Sequence, residues 1–181
     1  MEPLSGTAYV ILGMLSLGAR TGYDIKGIVD ESTRFFWAAS YGQIYPELRR
    51  LEDAGLVSGE STPTGARKRR EYQLTEIGRA ELVRWLEAPA QMPELRDENL
   101  LKLFFADELP LEHALEQLRL RRLGHEQFLA ILREIDARPG DDPPFVDLVL
   151  RYGIAYGEFN VAWCEEQEER LRTAAAEETA A

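Results

Sequence analysis

Residues 40–57 read SYGQIYPELRRLEDAGLV, and residues 67–74 read RKRREYQL. Ser40 and Gln43 stand at the S-x-x-Q spacing of a capping box, in which each side chain satisfies a backbone N–H of the other at the start of a helix. Ile44, Leu48 and Leu51 follow at i, i+4 and i+7 and form one apolar stripe. Gln43, Pro46, Arg49 and Arg50 fall on the opposite side, and Tyr41 and Tyr45 flank the stripe. Tyr45 borders the apolar side closely enough to read equally as core or as surface. Pro46 removes one intrahelical hydrogen bond and predicts a bend near the helix start. Gly55 predicts the helix end.

Downstream, Leu56 to Glu60 reads as a short strand, Thr62-Pro63-Thr64-Gly65 as a turn, and Lys68 to Leu74 as a strand with Tyr72 and Leu74 on one face. Together they predict a hairpin. Thr75 caps a fourth helix with a stripe of Ile77, Leu82, Trp85 and Leu86. Upstream, Ala8, Ile11, Leu12 and Leu15 give a helix over 5–17 that stops at Gly18. A second helix over 22–34 turns Ile25, Ile28 and Val29 inward, and FFWAAS reads as helix end and connection. Three helices followed by a two-stranded hairpin predict a winged helix-turn-helix, whose third helix enters the major groove while the hairpin reaches the adjacent backbone or minor groove.

The charge distribution agrees with that placement. The chain has 181 residues and a formal net charge of -11. Residues 1–87 hold 11 Lys and Arg against 12 Asp and Glu, whereas residues 88–181 hold 10 against 20. The acidity therefore belongs to the C-terminal half, and the field at a contact surface is set locally. The candidate DNA-contact set is Ser40, Tyr41, Gln43, Tyr45, Arg49 and Arg50 on the helix and Arg67, Lys68, Arg69 and Arg70 on the hairpin. Arginine pairs with phosphate and bidentately with guanine, and glutamine pairs bidentately with adenine. Taken singly, each feature also fits a solvated surface, and Arg49 and Arg50 could pair with nearby Glu47, Glu52 and Asp53. The order of elements joins them into one reading.

The proline-punctuated APAQMP predicts a boundary near residue 90, dividing a DNA-binding domain (1–90) from a helical dimerisation and effector domain (91–181). Helices are expected over about 97–107, 110–137 and 144–174, followed by a frayed tail. Phe145, Val149, Tyr152, Tyr156, Phe159 and Trp163 recur with heptad spacing. On the preceding helix Leu111, Leu115, Leu118, Arg122, His125, Leu129 and Leu132 share one frame, with two polar interruptions. These seams predict core packing and a homodimer interface. A sharper alternative makes Tyr152, Tyr156, Phe159 and Trp163, with Gly153 and Gly157 among them, a pocket for a small aromatic effector. Close helix approach explains the glycines equally well.

The chain resembles the PadR-type transcriptional regulators. The resemblance rests on YVILGMLSLGARTGYDI, SYGQIYPELRRLEDAGLV and RREYQLTEIGRAEL, in order and covering most of residues 8–86. It implies a homodimeric DNA-binding repressor of double-stranded operator DNA. The long helical C-terminal region resembles the subgroup whose C-terminal domain is like that of virulence activators. Some members respond to phenolic or other aromatic compounds, which implies an aromatic effector. Gln43 stands where the family often has a small residue and Ala66 where it often has proline, so the operator need not be the usual one.

Other classes find little support. His113 and His125 lie 12 residues apart on one expected helix, too far for shared metal ligation. The lone Cys164 excludes an internal disulfide, and its acidic neighbours oppose a reactive thiolate. No phosphate loop, dinucleotide fingerprint or nucleophile elbow is present, so neither catalysis nor a cofactor is expected. No apolar run of membrane-spanning length occurs, and with a single cysteine the expectation is a cytoplasmic protein. The remaining alternative is a winged-helix docking module that meets another protein and reads no DNA.

Overall fold

The computed structural model describes residues 4–64, 67–90, 92–140 and 143–180, and only the backbone of 62–64, 67–69 and 178–180. The chain is mainly α with one two-stranded hairpin, and it divides into two compact units, 1–92 and 93–181. The first unit runs α1 (Gly6–Ser16), α2 (Gly22–Glu31), α3 (Tyr41–Asp53), β1 (Val57–Thr64), β2 (Arg67–Leu74) and α4 (Glu76–Glu87). Its core gathers Ile11 and Leu12 of α1, Ile25 and Val29 of α2, and Ile44, Leu48 and Leu51 of α3, with Leu56 and Val57 closing one end. Burying each of these side chains stabilises the unit by roughly 1.5–3 kcal/mol relative to leaving it in water.

Side-chain caps hold the helix starts, the expected Thr75 of α4 among them, with its Oγ1 accepting from the Gly78 N–H at 3.0 Å. Ser5 Oγ accepts from Ala8 N–H at 3.1 Å, and Thr21 and Asp24 form a capping box on α2. Helix α2 stops at Glu31, three residues short of expectation, because Ser32 leaves the helical region and a single 3-10 turn (Thr33–Phe35) follows. Helix α3 continues unbroken through Pro46. Gly55 follows its end at φ +70°, a left-handed conformation that glycine adopts without steric cost. The hairpin pairs Val57 with Leu74 through Thr64 with Arg67 in continuous antiparallel register, so β1 is longer than expected and takes in Thr62, Pro63 and Thr64 of the expected turn, whose Gly65 lies outside the described residues.

The stripe expected on α4 needs correction. Leu82 is buried, but Ile77 and Leu86 are both 65% exposed and Trp85 is 45% exposed. The inward face is Gly78, Glu81 and Leu82. Its rotation is set by Gly78, where an added Cβ would lie 1.9 Å from the Leu56 carbonyl oxygen. That closeness turns Glu81 toward α1, where its carboxylate accepts from the Tyr9 hydroxyl at 3.0 Å while the Tyr9 ring stacks on Trp85. The Arg84 guanidinium, hydrogen-bonded to Glu81, holds this buried carboxyl below the usual range.

The second unit contains α5 (Glu98–Phe104), a 3-10 turn (Ala106–Glu108), α6 (Leu111–Asp136) and α7 (Pro144–Ala180). Pro110 is the N-cap of α6 rather than its first residue, and α7 runs six residues past the expected 174. Helices α6 and α7 pack along each other. From α6 the buried residues include Leu115, Leu118, Leu129 and Leu132, the expected frame. The α7 seam is different. Phe145, Tyr152 and Phe159 are 80%, 71% and 65% exposed, whereas Gly157, Asn160, Cys164 and Glu168 are buried. The expectation that the heptad aromatics face the core of the unit is therefore corrected. The glycines face α6, with Gly153 against Leu132 and Gly157 against Leu129 and Phe128, and they permit close helix approach.

A polar layer crosses this unit. Arg121, its side chain only 7% exposed, donates to Asp97 Oδ2 at 2.7 Å and to Asn160 Oδ1 at 2.9 Å. Burial alone would push the Asp97 carboxyl up, but Arg121 and the Leu100 and Asn99 N–H groups outweigh it and hold it below the usual range. Next to it Arg122 bridges Glu168 and Glu126. His125 meets the Tyr156 ring edge-on, and burial pushes its pKa down. The two polar interruptions of the α6 frame thus make specific contacts with α7. Burial also pushes the Cys164 thiol up, away from thiolate.

Candidate nucleic-acid interface

The Ile44, Leu48 and Leu51 stripe pins α3 to the core and so decides what faces outward: Tyr41, Gln43, Tyr45, Pro46, Arg49 and Arg50 are all exposed. Tyr45, which the sequence left between core and surface, is 44% exposed. Its ring lies against Gly22 of α2, where an added Cβ would come within 2.7 Å of Tyr45 Cε1. The glycine lets the ring rest flat on the start of α2.

The arginines differ in their surroundings. Arg50 Nη1 donates to Glu47 Oε2 at 3.1 Å, and Glu47, itself buried, also accepts from Ser5 Oγ at 2.8 Å. Arg70 donates to Glu52 of α3 and lies over the Tyr72 ring, its Cζ 5.8 Å from the centroid. The hydrogen bond to Glu52 raises the Arg70 pKa and keeps the guanidinium charged, and it ties the hairpin to α3. Tyr72 is buried, which pushes its phenol up, and its N–H donates to the Arg20 carbonyl at 2.7 Å. These contacts fix the hairpin against the helices. Arg49 has no ion-pair partner among the described residues and stands exposed.

Gln43 has a prior engagement. Its Oε1 accepts from the Ser40 N–H at 2.9 Å and from Ser40 Oγ at 3.0 Å. Both lone pairs of that oxygen are in use, so in this geometry the amide offers only its two N–H donors. A bidentate adenine contact needs the oxygen as well and would require the cap to open. Arg67, Lys68 and Arg69 lie on β2 opposite Thr64, Pro63 and Thr62; their side chains lie outside the described ones. The structure thus brings Ser40, Tyr41, Gln43, Tyr45, Arg49, Arg50 and Arg70 onto α3 and the strand tied to it. Two residues that sequence reasoning missed join them. Tyr23 stacks on Tyr41, and Lys26 Nζ lies 5.7 Å above the same ring. Both belong to α2, one and four residues past Gly22; Tyr23 falls within the GYDI of the family resemblance, and Lys26 lies just beyond it.

This surface is rich in donors: guanidinium N–H groups, a primary amide and phenols. It suits acceptors such as phosphate oxygens and purine edges. No group of three His, Cys, Asp or Glu side chains among the described residues is placed to hold a metal ion. The candidate effector residues occupy another place. Tyr152 stacks on Tyr156 at 6.5 Å on the outward side of α7, with Phe159 further along it. In a single chain they form an open face, with Trp163 half-buried beyond them.

Residues 11–84 match the PadR-like family of transcriptional regulators, and residues 95–172 match the family described as Virulence activator alpha C-term. The chain is 39% identical over 108 residues to the negative transcriptional regulator PadR of Bacillus subtilis, a match covering 59% of this chain and 59% of that protein. The sequence match therefore spans about three fifths of that relative's length. The crystal structure of Bacillus subtilis PadR in complex with operator DNA is similar at a TM-score of 0.81 and 31% identity, over 91% of this chain and 98% of that one. The same protein in complex with p-coumaric acid is similar at a TM-score of 0.75 and 30% identity, over 91% and 98%.

Proposed function

Because this chain belongs to the PadR-like family of transcriptional regulators, we propose that it is a homodimeric repressor that binds double-stranded operator DNA and releases it on meeting a small aromatic effector. The observation that carries this reading is the outward face of α3. There Arg49, the Gln43 amide and the phenols of Tyr41 and Tyr45 present donors beside the basic strand β2. Helix α3 enters the major groove, and Arg67, Lys68, Arg69 and Arg70 of the hairpin meet the flanking phosphates. Ser40 lies at the N-terminus of α3, where backbone N–H groups also favour phosphate. In this division of labour residues 1–90 read DNA and residues 91–181 assemble the dimer, and the protein works in the cytoplasm without catalysis.

Dimerisation uses the aromatic face of α7. Phe145, Tyr152 and Phe159 lie too far out of the unit's core to gain from it, and a second copy would bury them. One recognition helix touches too few base pairs for useful selectivity, whereas two related by a two-fold axis read half-sites about 34–36 Å apart. Tyr152, Tyr156, Phe159 and Trp163 become an effector pocket once a second surface covers them. The operator-DNA and p-coumaric acid complexes of the Bacillus subtilis protein support the two ligand classes.

The test is binding of the purified protein to the duplex upstream of its own coding region and to a random duplex of equal length, across a salt series. Tighter binding to the first with a steep salt slope is expected, and an aromatic acid should release it. Equal, weak binding to both would sink the reading as an operator-specific repressor of its own transcription.

A further inference from the structure

The first unit carries an aromatic row that its core does not explain. Tyr23 of α2 stacks on Tyr41 of α3 with centroids 6.5 Å apart and planes 19° apart, and Tyr41 stacks on Tyr45 at 6.1 Å and 19°. All three are open to solvent, at 70%, 43% and 44% exposure. None of the three phenol hydroxyls has a hydrogen-bond partner among the described residues. Large aromatic side chains left this exposed contribute little to the core, yet these are held in register. Tyr45 is seated on Gly22, Tyr41 lies under Lys26 Nζ, and Tyr23 closes the row from the neighbouring helix. The row runs from the outer face of α3 onto α2, so its far end lies off the helix proposed to reach base edges.

We propose that Tyr23 is a DNA-backbone contact: its hydroxyl donates to a phosphate oxygen flanking the bases read by α3, and the stack on Tyr41 and Tyr45 holds the ring ready for it. This rests on the operator-binding reading of α3. A stacked ring has already lost most of its side-chain freedom, so little ordering is left for binding to impose. A phosphate contact sets register and carries no base preference. A neutral hydroxyl displaces no condensed counterion, so unlike an arginine it leaves the salt slope alone.

These properties make Tyr23→Phe a sharp test, because the ring and its stack remain and only the hydroxyl goes. Binding of wild type and variant is measured on the upstream duplex and on a random duplex over a salt series, with thermal unfolding alongside. Affinity is expected to fall roughly tenfold or more on both duplexes, the order for one lost hydrogen bond to a charged acceptor. The salt slope, the ratio between duplexes and the unfolding midpoint should stay unchanged. Wild-type affinity in the variant would overturn the hydroxyl–phosphate contact. A loss confined to the upstream duplex would make Tyr23 a base contact and overturn it too. If wild type bound neither duplex, the DNA-binding reading itself would fall, and Tyr23 with it.

Discussion

Arg49, Arg50 and Arg70 carry the same charge but not the same freedom. Arg49 is exposed and unpaired among the described residues, Arg50 is held by Glu47, and Arg70 by Glu52. Arg49→Ala should therefore weaken operator binding and leave stability unchanged. If it reads guanine bidentately, about 1–3 kcal/mol of discrimination is lost. Arg50→Ala should lower both affinity and stability, because it leaves Glu47 buried with only the Ser5 hydroxyl. Anisotropy titrations beside thermal melts separate the two, and a destabilised Arg49 variant would contradict the assignment. Replacing Arg67, Lys68 and Arg69 by alanine should weaken all duplexes alike and flatten the log–log salt slope by roughly 0.9 per lost phosphate contact. The Arg50–Glu47 spacing was readable beforehand as a helix-surface pair. The Arg70–Glu52 pair joins residues 18 apart and was not, since only hairpin docking brings them together.

Among elements, close approach decides more than pattern. Helix α4 is rotated by the contact of Gly78 with the Leu56 backbone. Alanine is the better helix former by about 1 kcal/mol, but at 1.9 Å its Cβ would overlap a carbonyl oxygen with backbone on both sides. Gly78→Ala should thus destabilise the protein by about 1–3 kcal/mol; a rise in the denaturation midpoint would refute the packing argument. Arg121 joins α5, α6 and α7 through Asp97 and Asn160, and its own Nε is buried with no hydrogen-bond partner among the described residues. Arg121→Ala should cost about 1–3 kcal/mol by taking their shared donor from the half-buried Asp97 carboxylate and the buried Asn160 amide. Arg121→Lys should recover only part of that, because a single ammonium cannot replace the guanidinium fork that meets both acceptors. Urea titrations followed by helicity would show both, and a harmless alanine would mean the layer is solvated.

For the molecule as a whole, the aromatic face of α7 is the largest mismatch between sequence pattern and single-chain burial. A dimer resolves it. Tyr152→Glu or Phe159→Glu should convert the dimer to monomer in sedimentation and lower operator affinity by roughly 100-fold or more, through loss of linked half-site binding. The helical content should persist, since neither side chain is buried in its own unit. A variant that stays dimeric would place the interface elsewhere. The acidity of residues 88–181 fits this division, because a negatively charged half gains nothing from approaching DNA.

Local sequence placed α1 to α3, the hairpin and α6, because each is encoded within a few turns by spacing, caps and glycine or proline. The outward set on α3 was equally legible, since one buried stripe dictates the opposite face. What periodicity could not decide was the choice between two competing faces. Helix α4 offered an apolar stripe and buried another side, and α7 offered a heptad of aromatics and turned its glycines, Asn160 and Cys164 to α6. In both cases helix approach was set by small residues, whose absence of a side chain leaves no hydrophobic signal. Tyr23 makes the same point at the interface: its stack on Tyr41 exists only once α2 and α3 have packed. The commitment of the Gln43 oxygen to Ser40 is local and was already written in the S-x-x-Q spacing.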